Sequence, residues 1–420
     1  MRQCGIVVGL SVFLMSSVAV LAEPPSTEEL MKTIHELKAR VTSLEKEVSQ
    51  QKISETRQDE TLKLIKEMQA DTATRAALPQ WMDNLTFYGD LRLRYQGECF
   101  SGRNEKNRNR ARFRVRFGVK KTWLDDQLEV GFRLATGSSD DPTSTNQTFD
   151  DHFSEKKVWI DLAYAKYKPK WAKGLTVIGG KMKNPLVHTD LVWDSDLNPE
   201  GVWAQFARKC GDFEPFANVG YFILDESGGG HDTILMTYQA GFNWKLCEDV
   251  KWTFAGTYYD TDHYDTSYRA ANGNNVVGGD LAAGKFQMVG LTNKVSFKAF
   301  NLPMSAYFDF IHNCGDEDTT AGYEDQCNGY AAGVKVGKNK KKGDWSFGYK
   351  YAYIEANATP GAWNDSDFGH SNRKGHVLGA AYNLSDSLTL GGKLFHTEPI
   401  AGSSENQRDT TVQADLVWKF

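Results

Sequence analysis

Apolar and charged residues alternate along positions 110–119 of this chain. Successive side chains of a β-strand point to opposite faces, so the pattern predicts a strand with one apolar face and one basic face. The apolar face carries Phe113, Val115, Phe117 and Val119, and the basic face carries Arg112, Arg114 and Arg116. Flanking stretches repeat the period, with Arg92 and Arg94 in one and Arg133 in the other. An apolar outer face around a charged, water-filled lumen is typical of a transmembrane β-barrel.

The same alternation predicts about 16 strands between residue 85 and residue 420. They are 85–96, 109–121, 127–136, 157–168, 174–183, 201–209, 214–224, 233–246, 249–259, 285–299, 304–313, 328–338, 344–356, 374–384, 387–397 and 410–420. Long polar connections alternate with turns that are mostly short, which is the layout of bacterial outer-membrane barrels. The predicted fold class is therefore an all-β transmembrane barrel of about 16 antiparallel strands, with both ends of the barrel at the periplasm.

The start of the chain predicts export. Residues 1–22 combine Arg2, an apolar stretch and small residues up to Ala22, as a cleavable signal peptide does. The alternative, an uncleaved anchor helix, is disfavoured because the stretch is short and no stop-transfer pattern follows. We expect the cut after Ala22.

A helical pattern follows over residues 23–70. Apolar residues fall alternately four and three positions apart, at Leu30, Ile34, Leu37, Val41, Leu44 and Val48. This heptad pattern predicts a periplasmic α-helical coiled coil that associates with copies of itself. The β-branched and leucine residues of the heptad favour a dimeric coiled coil. A barrel of this size instead favours a homotrimer, and we expect the homotrimer. The alternative to a self-associating coil is a single spacer helix in the periplasm. Residues 71–84 form the predicted linker.

Composition excludes several classes. A net charge of −5 at pH 7 and no basic run longer than 340–342 argue against nucleic-acid binding. Mean hydropathy of −0.51 argues against a helical membrane protein. Of the cysteines beyond the signal peptide, Cys314 and Cys327 bracket one loop and Cys210 and Cys247 lie in two neighbouring turns, so we expect two disulfides.

Six stretches of the sequence resemble the bacterial "putative porin" family. They are residues 89–95, 110–116, 133–137, 161–164, 179–185 and 191–201. The resemblance implies a 16-stranded outer-membrane barrel for passive passage of small hydrophilic solutes. The chain departs from the family at Leu162, where a basic residue is usual. The family does not imply a particular solute.

The basic strand faces predict a selectivity site. The expected inner wall consists of Arg92, Arg94, Arg112, Arg114, Arg116, Arg133, Lys181 and Lys183. Acids on an inward-folded connection, Asp194, Asp196 and Glu200, would face this wall across a constriction. Such a field raises the local concentration of anions. In the alternative interpretation the arginines pair with Asp90, Glu129 and Asp161 and only stiffen the wall.

Other chemistry has weaker support. Asp260, Asp262, His263 and Asp265 lie together, but the chain has no hydrolase motif. The acids of loop 314–327 lack the spacing of a calcium loop. We therefore expect no enzymatic activity, no cofactor and no metal. The leading function is a porin with mild anion preference, surrounded by outer-membrane lipid. The alternatives are a tether to peptidoglycan or another periplasmic partner with a closed barrel, and a sheath for an electron-transfer partner.

Overall fold

The structure is a computed structural model that describes residues 31–32, 35–36, 38–46, 82–102, 105–138, 141–264, 271–402 and 407–420. The chain divides into two units, Met1–Asp83 and Asn84–Phe420. In the first unit the described residues up to position 46 are helical. The predicted signal peptide, the rest of the coil and most of the linker lie outside the described residues. Among the residues described, no helix has the length and apolar composition needed to cross a membrane.

The second unit is a closed antiparallel barrel of 16 strands. The barrel strands are β1 (Leu85–Ser101), β2 (Arg108–Trp123), β3 (Leu128–Thr136), β5 (Val158–Tyr167), β6 (Leu175–Lys181), β7 (Glu200–Ala207), β8 (Phe213–Asp225), β9 (Thr233–Cys247), β10 (Val250–Asp262), β13 (Gln287–Ala299), β14 (Leu302–Asn313), β15 (Asn328–Gly337), β16 (Trp345–Ile354), β17 (Arg373–Asn383), β18 (Leu388–Pro399) and β19 (Arg408–Lys419). Three two-residue strands, β4 (Gln147–Thr148), β11 (Val276–Val277) and β12 (Asp280–Leu281), lie in the long connections.

Each barrel strand pairs with its neighbours in the chain, and β1 closes the ring by pairing with β19. Closure is necessary because a backbone group left without a partner in lipid costs several kcal/mol. Each of the predicted segments overlaps one barrel strand, so the predicted strand number is confirmed. Short turns and long connections alternate as expected.

The outer surface is apolar along the whole ring. Apolar residues such as Phe117, Val202, Leu291 and Val334 are exposed on this surface. The side chains before and after them in each strand point inward and are buried or polar. Aromatic residues gather near the short turns, where Phe213, Phe242, Trp244 and Trp252 contact one another. This band is typical of the lipid boundary of an outer-membrane barrel.

The hydrophobic core lies inside the barrel rather than around it. Three connections contribute buried residues to it: 182–199 between β6 and β7, 355–372 between β16 and β17, and the β10–β13 connection, with Tyr264, Leu281, Ala283 and Phe286. They pack against inward residues of the long-connection half of the wall, including Leu235, Met288 and Ile311, which are fully buried. The lumen is therefore filled by packed loops towards the long-connection end.

The cysteines differ from expectation, because all five that the structure describes are free thiols. The β14–β15 register continues past the strand ends through the hydrogen bond from the Asn313 amide to the Cys327 carbonyl (2.9 Å). Cys327 thus lies opposite Asn313. Cys314 follows Asn313 in the chain, so its side chain points to the opposite face of the sheet from that of Cys327. Cys210 instead bonds within its own turn, to Phe213. Neither the 314–327 nor the 210–247 bridge is formed.

Barrel closure predicts a sensitive glycine. A Cβ at Gly89 would lie 2.2 Å from the Arg116 carbonyl oxygen and 2.7 Å from the Phe420 ring. We expect Gly89→Ala to destabilise the barrel by about 1–3 kcal/mol, since backbone must move to admit the methyl group. The loss of stability is measured as a lower temperature at which the folded band disappears in semi-native electrophoresis. Gly179→Ala is the control, because no atom lies within 4 Å of its Cβ position. Equal melting of both variants would contradict the argument.

Candidate pore lining

The arginine wall is formed by Arg92 and Arg94 of β1, Arg112, Arg114 and Arg116 of β2, and Arg133 of β3. The strand register sets Arg92 directly opposite Arg114, and Arg94 directly opposite Arg112. Like charges that face each other across two strands destabilise a sheet. The wall therefore depends on acidic partners.

Two aspartates supply most of the compensation. Asp90 accepts hydrogen bonds from Arg114 (2.7 and 2.9 Å) and from Arg116 (2.7 Å). Asp415 of β19 accepts two bonds from Arg94, at 2.7 and 2.8 Å. Charge-assisted pairs of this geometry are the stronger protein hydrogen bonds. They hold the first two strands against the last one across the closure of the barrel.

The remaining arginines have mixed partners. Arg133 donates to Asp161 at 2.5 Å. Arg92 donates to the Asn146 side chain at 2.5 Å, and Arg112 donates to Gln96 (3.1 Å) and Ser144 (3.3 Å). The Nε atoms of Arg92 and Arg112 are buried without a hydrogen-bond partner in the described residues. The positive charge of the arginine wall is thus largely neutralised, and the excess charge lies on Arg92 and Arg112.

The three predicted acids, Asp194 and Asp196 of connection 182–199 and Glu200 at the start of β7, do not act together. The Asp196 carboxylate faces the wall, 3.6 Å from Arg116, and accepts a bond from the Thr145 hydroxyl (2.9 Å). Glu200 instead pairs with Lys181 at 2.6 Å, apart from the arginines. Lys183 is exposed at the start of the connection.

A second inward connection, 355–372, has no counterpart in the sequence prediction. Trp363 stacks on Trp193 with ring centroids 4.5 Å apart, and the Asn364 amide donates to the Leu191 carbonyl at 2.9 Å. Its Asp367 carboxylate reaches the wall, 3.1 Å from Arg94. Acid on the loops therefore does face base on the wall, but it comes from both connections.

Asp194 is buried between the two connections. Its amide donates to the Trp363 carbonyl at 2.7 Å, and only 7% of the residue is exposed. Burial, together with the neighbouring Asp365 carboxylate, raises the pKa of Asp194 to about 8. Burial likewise raises the pKa of Asp365. The contact between the two connections thus favours protonated carboxyl groups.

Other lysines face the lumen, most of them from the half near the short turns and Lys393 from mid-strand, within electrostatic reach of Asp190, Asp365 and Asp367. This set, the lumen lysines, consists of Lys245, Lys251, Lys294, Lys298, Lys335, Lys393 and Lys419. Each has the strand parity of an inward buried residue, such as Met288 for Lys294, Ala331 for Lys335 and Phe395 for Lys393. All are exposed, and none forms an ion pair in the described part of the chain. Sequence reasoning missed the lumen lysines because most of these strands carry only one such lysine, so no single strand shows a basic face.

The loops considered for other chemistry have structural partners. Asp260 accepts a bond from Gln287 (3.0 Å), and Asp262 pairs with His263 (3.0 Å), while Asp265 lies outside the described residues. Asp318 accepts bonds from Asn275 and Asn357. Within the described ranges, no group of three or more histidines, cysteines and acids is placed to hold a metal ion.

A closed barrel of 16 antiparallel strands with inward-folded connections is the architecture of bacterial outer-membrane porins. The fold resembles that of OprB from Pseudomonas putida, with a TM-score of 0.54, 14% identity, and coverage of 80% of this chain and 94% of that one. Salmonella typhi OmpF, in a complex with daunomycin, gives a TM-score of 0.49 and 11% identity, with 80% of this chain and 97% of that one covered. These likenesses concern the fold alone.

The "putative porin" family model matches residues 15–107, 103–275 and 261–420. The chain belongs to this family, and family and fold together identify an outer-membrane porin. A search of the curated proteins found no match.

The arginine wall predicts a large cost for one acid. Asp90→Asn leaves the buried Arg114 without a carboxylate and weakens Arg116, so we expect a loss of about 3–5 kcal/mol in the free energy of unfolding. Urea unfolding in detergent measures it. Glu200→Gln removes the same charge from an acid whose side chain is 63% exposed, and should cost less than about 1 kcal/mol. Similar losses for both variants would show that the wall does not depend on Asp90.

The buried carboxyl of Asp194 predicts a pH dependence. Between its ordinary pKa and about 8, the packed connections retain a proton that separated connections release. The contact should therefore weaken as pH rises through this range and change no further above it. Hydrogen exchange at the residue 194 amide, corrected for intrinsic rates, measures the opening.

Asp194→Asn should remove most of this dependence, since the variant side chain cannot ionise. Glu226→Gln, in an exposed part of another connection, should leave it unchanged. Unchanged pH dependence in Asp194→Asn would assign the effect to another group.

Proposed function

We propose that this porin passes small hydrophilic solutes and prefers anions. The observation that supports the preference is the set of lumen lysines, which are exposed and unpaired, rather than the arginine wall. Fixed charges of one sign in a narrow, low-dielectric channel raise the concentration of counter-ions inside it. Selection of this kind acts through the field and needs no tight contact.

The two halves of the lumen would contribute differently. Towards the long connections, the arginines are balanced by Asp90, Asp161, Asp367 and Asp415. Towards the short turns, the inward strand acids are Glu129, which lies 3.8 Å from Lys120, and Glu214, and the lumen lysines outnumber them. Since short turns face the periplasm in such barrels, we infer that anion preference arises on the periplasmic side.

We further propose the arrangement of the whole chain. Residues 1–22 are a signal peptide, 23–70 a periplasmic coil, 71–84 a linker and 85–420 the barrel, assembled as a homotrimer. Val41 and Leu44 support self-association of the coil, because they are 52% and 54% exposed on the described helix. An apolar stripe of this width requires a partner helix. Peptidoglycan or another periplasmic component is a further partner for the coil.

A closed barrel that acts as a tether is the second candidate. It is favoured by the packing of the inward connections, whose Trp193 and Trp363 are nearly fully buried against each other. Open conductance of the purified protein without added partners separates it from the porin. No structural feature of the described residues adds support for an electron-transfer sheath.

The test is reversal potential in a planar bilayer under a salt gradient. We expect the parent protein to open in steps of three and to be anion-selective. Lys335→Glu with Lys393→Glu should shift the reversal potential towards that of a cation-selective channel, because two positive charges of the lumen wall are replaced by two negative ones. Lys340→Glu with Lys341→Glu, in the β15–β16 turn, is the matched control and should shift it little. Cation selectivity of the parent would refute the anion preference, and a silent folded protein would favour the tether.

A further inference from the structure

Four of the lumen lysines lie together on three adjacent strands, β9, β10 and β13. The strand register sets Lys245 directly opposite Lys251. Lys251 is in turn opposite Ser296, and Lys294 and Lys298 lie two residues to either side of that serine. Directly opposed side chains have Cβ atoms about 4.5–5.5 Å apart, and diagonal ones about 7–8 Å. This lysine tetrad therefore places four ammonium groups on one patch of the wall.

The tetrad faces the lumen. Lys245 has the parity of Asn243 and Lys251 that of Thr253, and the Thr253 hydroxyl donates to the Asn243 side chain at 2.9 Å on the same face. The opposite face carries Trp244 and Trp252, which stack in the outer aromatic band. Lys294 lies directly opposite Thr253. All four lysines are exposed, so a solute in the lumen has access to them.

The acids near the tetrad lie along its edge towards the turns. Asp212, in the β7–β8 turn, lies opposite Lys245, whose amide donates to the Asp212 carbonyl at 2.8 Å. Glu214 of β8 lies opposite Asn243 and diagonal to Lys245. Glu248 and Asp249 lie in the β9–β10 turn, and the Asp249 carbonyl accepts the Lys298 amide at 3.1 Å, which places Asp249 opposite Lys298. None of these acids pairs with a tetrad lysine in the described part of the chain. The other neighbours of the tetrad, Asn243, Thr253 and Ser296, are neutral hydrogen-bonding groups.

Such an arrangement has an energetic cost. Opposed like charges destabilise a sheet, and residues that served only solubility would not need to face one another across two strands. A bound anion with several charges would reverse the sign of this interaction. Lysine ammonium groups are common ligands of phosphate, and the serine and threonine hydroxyls can donate to the same oxygens.

We propose that the tetrad is a binding site for soluble multivalent phosphate anions at the short-turn mouth of the pore. This inference rests on the proposed porin function and deepens it, because it gives the pore a preferred class of solute and a place where that solute first binds. The hydroxyls and amide of Ser296, Thr253 and Asn243 complete the site. A multivalent phosphate held there occupies the pathway and slows the flow of smaller ions.

The test is block of ionic current by inorganic tripolyphosphate in a planar bilayer. We expect reversible block at lower concentration from the side of the short turns than from the other side. The block should weaken at high salt, since exposed charges are screened within about 10 Å at 0.1 M. Lys251→Gln with Lys294→Gln should raise the half-blocking concentration about tenfold or more, through the loss of two charges next to the anion.

The matched control is Lys340→Gln with Lys341→Gln, which removes the same charge from a turn at the same end of the barrel. It should leave block within about twofold of the parent. Equal block of the tetrad variant and the parent would overturn the site. Anion-selective current that tripolyphosphate does not block would overturn the site while leaving the proposed function intact, whereas cation selectivity of the parent would refute the anion preference itself.

A binding measurement keeps the site testable without conductance. Phosphorus-31 line broadening of tripolyphosphate by the full-length protein in detergent should be present for the parent and the control, and strongly reduced for Lys251→Gln with Lys294→Gln. Semi-native electrophoresis checks that the tetrad variant is folded: its folded band should change position on heating as that of the parent does. Equal broadening by all three proteins would contradict the assignment.

Discussion

The structure depends on one constraint, which is that backbone hydrogen bonds must be closed within the barrel where lipid surrounds it. Pairing of β1 with β19 meets it, and it also fixes the register of the ring. Because side chains alternate along each strand, register decides which residues face lipid and which face water. The placement of Arg94 beside Asp415 follows from this closure, whereas the β9–β10 hairpin sets Lys245 opposite Lys251.

The charged lumen follows two different rules along its length. Where loops 182–199 and 355–372 exclude water, an unpaired charge would be costly, and the buried Arg94 and Arg114 have carboxylate partners. Towards the short turns the lumen lysines are exposed and need no such partner. The same side-chain charge thus stabilises the wall in one half and remains available to solutes in the other.

Sequence reasoning predicted the part of the structure that depends on local period. The alternation in 110–119 and 233–246 identified strands and their apolar faces, since lipid outside and water inside impose period two. The partners of the arginines were harder to predict, because Asp367 and Asp415 lie far away in sequence and reach Arg94 only through closure and an inward loop. Loop 355–372 has polar ends that resemble any surface connection. The cysteine pairing could not be predicted from the sequence, because proximity along the chain does not decide which face a side chain takes.

The separation of the two charged regions has a consequence for how selectivity can change. Substitutions in the arginine wall alter buried pairs, so their effect on permeation is coupled to the stability of the barrel. The lumen lysines are exposed and bonded to no acid, and surface charges of this kind contribute little to folding. Their number and sign can therefore vary at little structural cost. Selectivity for solutes is accordingly more adaptable at the short-turn mouth than at the constriction, although the constriction has the denser array of charge.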